Sequence, residues 1–372
     1  MKKKTVWKNG SRIAAGLMAA TMICSMTACS GSSGSSSAAA ANTATGGKKW
    51  SGKTLTVCSW GGAIQAAQKK TIFETFAQKY GCTIKEDTDP TPAKVKAAVQ
   101  ANKMEVDVWD VDTDFAFRGE KQVLFEKLDY NVIKKDGLIK NFVTDYSVPS
   151  ECPPICISWN TSKYSQANHP KTWQEFFDTS KFPGNRTLYS NPMSMLEAVL
   201  MADGVPMDKL YPLDVDRAFK FLEKHKKDIS TFWDSGSQSV QLLNSGDDAL
   251  GELWPGRVIA AKAEGQSVDF DPNEAIIAAD SWVIGKGSKN VAMANDFIAY
   301  ATSAQVVANY SVEYPGNAPA NENAYKLMTK EQIDKLASSP EKIKHQVYYN
   351  VQWWVDNYDK VYQRFQEWKL QS

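Results

Sequence analysis

Between Lys53 and Trp109 the chain alternates strand, helix, strand, helix, strand, and this order constrains its fold more than any other feature. Lys53-Thr-Leu-Thr-Val-Cys58 alternates apolar and polar side chains with the period of a strand. From Ile64 to Tyr80, Ile72, Phe73, Phe76 and Tyr80 recur at helical spacing, and Gly81 ends the helix. Cys82 to Glu86 reads as the next strand, 91–102 as a second helix and Val106 to Trp109 as a third strand. Three strands with intervening helices in about 60 residues predict a parallel sheet covered by helices. Asp110-Val-Asp-Thr-Asp114 then reads as a polar loop before a helix at 115–122.

The same grammar returns further on. Strands are expected at Ile155–Trp159, Asn185–Ser190 and 249–254, with helices near 172–178, 193–203, from Asp214 to about 227, and 238–245. Ala275–Ile284 reads as a buried strand that recrosses to the first half. Helices at about 290–301, 304–310, 330–338 and 346–369 complete the chain.

The N-terminus carries an address. Lys2, Lys3, Lys4, Lys8 and Arg12 precede an apolar run from Ile13 to Met26, the order of an export signal. That run is shorter than the roughly 20 residues a membrane-spanning helix needs. Its ending, Met26-Thr-Ala-Cys29, resembles a bacterial lipoprotein box, which implies cleavage before Cys29 and lipidation of its thiol. Residues 1–28 are then a signal peptide. The Ser, Gly and Ala that dominate 29–49 form a coil holding a soluble body about 25 Å from the outer face of a membrane.

The formal charge of +1 conceals a mildly acidic body, because the five basic residues of the signal leave 38 basic against 42 acidic side chains. Charges of both signs are interspersed and no basic stripe is present, which points away from nucleic acid. Beyond the signal and the lipidation site the cysteines are Cys58, Cys82, Cys152 and Cys156. Export permits a local bridge between Cys152 and Cys156, whereas Cys58 and Cys82 fall in strands and are expected free and buried. No metal-ligand spacing, nucleophile elbow or phosphate-loop glycine pattern is found, so neither an enzyme nor a cofactor is expected.

Several short motifs then follow in a fixed order. They are the strand into Ser59-Trp60, the strand Val106–Trp109, Tyr146-Ser-Val-Pro149, Lys171-Thr-Trp173, Phe182-Pro-Gly184, Asn244-Ser-Gly246, Leu253-Trp-Pro-Gly256, Asp280-Ser-Trp282 and Glu313-Tyr-Pro315. In this order the chain resembles the extracellular solute-binding proteins of bacterial ABC importers, specifically the spermidine/putrescine-binding group. The resemblance implies an α/β, two-lobe periplasmic-binding-protein-like fold of type II, with a ligand cleft between lobes. It places lobe 1 at 50–155 plus 280–326 and lobe 2 at 156–279 plus 327–372. The implied role is a membrane-anchored receptor that delivers a polyamine or related small amine to the transmembrane subunits of a permease.

Carried over by position, the resemblance implies aromatic contacts from Trp60, Trp254 and Tyr314 and an ammonium-binding Asp280. The family's Ser and Tyr after the third strand fall at Asp112 and Asp114, and its distal acidic pair falls at Asn191 and Ser194. Acid is therefore lost on one side of the cleft and gained on the other, while Arg257 offers a partner for a ligand carboxylate. A zwitterionic amino compound is the alternative ligand. Ferric iron is a further one, suggested by the adjacent Tyr348 and Tyr349. Each residue also has a purely structural reading. On that reading Trp254 and Trp282 end buried strands, Asp280 caps a turn, Asp110, Asp112 and Asp114 line a solvated loop, and Arg257 serves Glu252. Trp353, Trp354 and Trp368, at helical spacing, are expected to pack.

Overall fold

The structure is a computed structural model and describes residues 47–371; the signal peptide, Cys29 and most of the tether lie outside the described residues. Two six-stranded sheets organise it. The first contains β1 (Thr54–Ser59), β2 (Thr83–Thr88), β3 (Val108–Asp112), β4 (Phe125–Glu126), β5 (Ser147–Glu151) and β11 (Asp280–Gly285). The second contains β6 (Pro154–Asn160), β7 (Arg186–Tyr189), β8 (Ile229–Trp233), β9 (Leu250–Leu253), β10 (Val268–Ile277) and β12 (Val347–Tyr348).

In the first sheet β1 is parallel to β2 and β3, as the strand–helix alternation requires, and β11 returns antiparallel beside β3. The pleat sorts its side chains onto two faces. Leu55, Val57, Val108, Trp282 and Ile284 join Phe73, Phe76 and Phe297 on one face, while Cys58, Trp109, Val111 and Val283 join Phe115 and Phe125 on the other. Trp282 meets Phe297 edge-on, with ring centroids 5.6 Å apart. Such a contact adds about 0.5–1.5 kcal/mol beyond area burial. The second lobe has one large core, in which Trp159, Trp173, Trp233 and Trp354 are fully buried. Trp354 and Trp368, on the C-terminal helix Val351–Leu370, are packing residues as expected, and Trp353 lies at the edge of the same core.

The structure departs from the sequence expectations at several points. The third strand does not stop at Trp109; it continues through Asp112, and the next helix begins at Thr113. Asp110 and Asp114 are buried, so this stretch is not a solvated loop. The strand expected at 275–284 is two strands, broken at Ala278-Ala279 where the chain passes between sheets. There the Ala278 N–H donates to Pro153 at 3.0 Å and the Thr113 N–H to Ala279 at 2.9 Å. The strands β8 and the first part of β10 went unread. β8 buries its residues irregularly, and β10 contains Pro272 at a break in register between Asp271 and Ile276, where a missing N–H is tolerated. All four cysteines of the described body are free, Cys152 and Cys156 included; Cys82 lies just before β2 and is only partly buried.

Candidate ligand-binding site

Carboxyl groups gather where the first sheet meets the second lobe. β11 opens at Asp280, whose register partner is Asp112 on β3 and, on its other side, Glu151 on β5. Directly opposed residues share a face at about 5 Å, so Asp112, Asp280 and Glu151 form a row across three strands. Asp110, two residues before Asp112, lies on the same face. It accepts hydrogen bonds from Gln68 Nε2 at 2.7 Å, Ser59 Oγ at 3.1 Å and Ser150 Oγ at 2.5 Å. Like charges so placed repel, and burial adds to the cost.

Every acid of this group resists ionisation. Burial, then the charges of Glu151, Asp110, Asp112 and Asp114, hold the Asp280 carboxyl well above the usual carboxylate range. Burial with Asp114 pushes Asp112 up to about 7, against the pull of Arg118. Glu151 is pushed up to about 8 and Asp110 to about 6, burial being the main cause in both. Asp280 has no hydrogen-bond or ion-pair partner among the described residues and does not cap a turn. Asp114 differs, because Arg118 Nη2 binds it at 2.6 Å. The Arg118 guanidinium also lies 4.4 Å from the Tyr358 ring and 3.6 Å from Asp359, so Asp114 is committed to a contact between the first lobe and the C-terminal helix.

The cation of the cleft is Arg257, in the first turn of the helix Pro255–Ala263. Its stem lies against Gly236, where a Cβ would come within 3.0 Å of it. Its Nη1 sits over Gly62, where a Cβ would be 2.6 Å away. Gly62 also has φ +58°, which disfavours other residues. Arg257 therefore reaches from the second lobe to the first. No carboxylate lies within 4 Å of it among the described residues, and its Nε is buried without an acceptor. Glu252, the partner considered from sequence, instead accepts from the Tyr189 backbone N–H at 3.1 Å. The Arg257 charge is felt by Glu151 and by Tyr314.

Aromatic groups occupy the space between. Trp254 directly follows β9, half-buried, with its ring centroid 4.8 Å from that of Trp233 and 5.1 Å from that of Tyr189. Trp60 follows β1, partly exposed, and its indole N–H is buried without an acceptor. Tyr314 is packed so closely on Gly256 that any Cβ there would collide with its ring. Asn191 caps the helix Pro192–Ala202 by accepting from Met193 N–H at 3.0 Å, and its amide donates to the Tyr358 hydroxyl at 3.4 Å. Ser194 is buried with φ +68° and breaks the first turn of that helix.

Four more residues join this group: Tyr189, Tyr358 and Glu151, which the sequence does not single out, and Tyr349, which it offers only as an iron ligand. Tyr189 and Tyr358 feel the charge of Asp112, and Tyr349 feels Asp114, Asp112 and Asp280. Glu151 stands only two residues beyond the Tyr146–Pro149 motif. Two surface depressions of about 640 and 470 Å³ lie elsewhere in the second lobe and contain no residue of the row. The unpaired charges, not concavity, mark this group as the candidate site.

This two-lobe arrangement is shared with known proteins. A model described as bacterial extracellular solute-binding protein matches residues 71–341. The chain belongs to that family. It is 30% identical over 323 residues to the gamma-aminobutyric acid-binding protein of Pseudomonas aeruginosa, covering 85% of this chain and 91% of the relative. An ABC transporter substrate-binding protein from Bradyrhizobium japonicum is 36% identical with a TM-score of 0.81, over 85% of this chain and 99% of that one. The Atu4243-GABA receptor structure is 41% identical with a TM-score of 0.76, over 85% of this chain and 97% of that one. The family resemblance read from the motifs thus holds at the level of the ABC-importer receptor, a protein that binds without turnover and pairs with permease subunits. The relatives' names do not carry its narrower spermidine/putrescine assignment. Among the described residues no helix is long and apolar enough to cross a membrane.

Proposed function

We propose that this receptor captures a zwitterionic ω-amino acid, with γ-aminobutyrate as the leading candidate, and delivers it to an ABC permease. The observation that carries the reading is the unpaired Arg257 opposite an unpaired acid row. Arg257 takes the ligand carboxylate, Asp280 and Asp112 take the ammonium, and Trp60, Trp254 and Tyr314 cover the methylenes. A desolvated ammonium needs anionic or oxygen partners, and an aromatic face adds about 0.5–2 kcal/mol. The names of the Pseudomonas relative and of the Atu4243 receptor support the same chemistry. A polyamine is the weaker reading. Asn191 and Ser194 supply no charge for a distal ammonium, and Asp114 is already paired.

Because the ligand touches both lobes, it favours the closed arrangement, as differential affinity requires. Thermal unfolding of the body from Gly47 onward tests the assignment. At 100 times its dissociation constant a ligand adds about 2.7 kcal/mol, a shift of several degrees. γ-Aminobutyrate is expected to give that shift and putrescine or spermidine little; the reverse order would sink the zwitterion reading.

The address read from the N-terminus belongs to the same proposal: lipidation at Cys29 and attachment to the outer face of the membrane. Cys29→Ser is expected to move the protein from the membrane fraction to the medium. Retention of the variant in the membrane would show that the anchor is not there.

A further inference from the structure

Glu151 is the one acid of the row that neither the sequence motifs nor the ligand assignment uses. It ends β5, is 2% exposed, and lies in register beside Asp280. Its two oxygens have different surroundings. Oε2 accepts from the Tyr310 hydroxyl and from the Asn317 amide. Oε1 is buried with no hydrogen-bond partner among the described residues. The charged and titratable groups facing it are Asp280 on β11, Asp110 on β3, Arg257 on the helix Pro255–Ala263, and Tyr310 on the helix Ala304–Glu313, with Tyr314 and Cys152 adjoining.

We propose that Glu151 is the specificity-determining residue of the cleft, a neutral carboxylic acid whose Oε1–H donates to the carboxylate of the bound ω-amino acid. This rests on the zwitterion assignment above. The physical reason is local. Oε2 is saturated as an acceptor, so the proton belongs on Oε1, and a protonated Oε1 is the only form in which that buried atom becomes a donor. Arg257 has donors only and cannot receive it. An ionised Glu151 would also compensate Arg257 and repel an incoming carboxylate. The neutral acid leaves the guanidinium available, and only Asp112 and Asp280 remain to hold one ammonium. The cleft then selects one positive and one negative end. A diamine, whose second ammonium would meet Arg257 and a donor, is refused.

The test compares γ-aminobutyrate with 4-aminobutyramide, which has the same length and ammonium but a neutral far end. Proton release from Asp112 and Asp280 is common to both ligands and cancels in the ratio of their dissociation constants. Calorimetry on the wild-type protein at pH 7 and pH 9 is expected to show the preference for γ-aminobutyrate falling several-fold, by up to about tenfold, as Glu151 ionises. Both ammonium groups stay charged over this range, their pKa being near that of lysine. In Glu151→Gln, whose amide mimics the neutral acid but cannot ionise, the ratio should not change with pH. A constant wild-type ratio would overturn the proposal. So would a thirtyfold loss in a folded Glu151→Gln protein, since the ionised carboxylate would then be the working form. If no ω-amino acid binds the wild type at all, the ligand assignment itself fails, and this inference with it.

Discussion

Asp280→Asn is expected to weaken γ-aminobutyrate binding by at least about thirtyfold, while the ligand-free protein becomes more stable at pH 8. The binding loss follows from removing the anion opposite a desolvated ammonium, which typically costs about 2–5 kcal/mol. The stability gain follows from linkage. The Asp280, Asp112, Glu151 and Asp110 carboxyls all sit above their ordinary range, the latter three at about 7, 8 and 6. The native state therefore holds more protons than the unfolded chain between the usual carboxylate range and about pH 8. Stability from these groups is complete below that range and is lost as pH rises through 6–8. Removing one member of the row relieves the repulsion, so the unfolding midpoint of the variant should fall less between pH 5 and pH 8. Repulsion stored in the empty cleft and released by the ligand's ammonium is a familiar cost of a binding site. Binding within threefold of wild type would remove Asp280 from the site. An unchanged pH dependence of the midpoint would show that the row does not repel as the register implies.

Arg257→Met should separate the two ends of the ligand. The methionine stem can still lie against Gly236, but the guanidinium over Gly62 is gone. γ-Aminobutyrate is expected to lose roughly 2–4 kcal/mol, about thirtyfold to a thousandfold, as when one member of a buried charge pair is truncated. A primary amine without a carboxylate should lose little. Arg257→Lys keeps the charge without the planar fork and should recover only part of the affinity. Equal losses for both ligands would mean that Arg257 holds the lobes together and does not read the carboxylate.

The residues themselves show what was legible. The first three strands and their helices followed from periodicity, because each amphipathic segment must bury one face and β–α–β order leaves few ways to do so. Asp280, Trp254 and Arg257 are legible as candidates because they stand at strand ends or helix starts within recognisable motifs. Glu151, Tyr189 and Tyr358 are not, since each is unremarkable among its chain neighbours. Asp110 to Asp114 reads as a loop because three acids in five residues suggest solvent. The strand continues through Asp112 because Ser59, Gln68 and Ser150 satisfy Asp110 and Arg118 pairs with Asp114.

The sequence by itself determined the α/β character of the chain and the order of its first three strands and their helices, for these depend on contacts between near neighbours. Only the tertiary structure decided which acids share a face, that Asp114 is paired while Asp280 is not, and that Arg257 spans from one lobe to the other. Asp280 lies 168 residues from Asp112 and 129 from Glu151, and their meeting depends on β11 inserting between β3 and β5. Charge is written in the sequence, but whether a charge is satisfied depends on what the fold brings within a few ångströms of it.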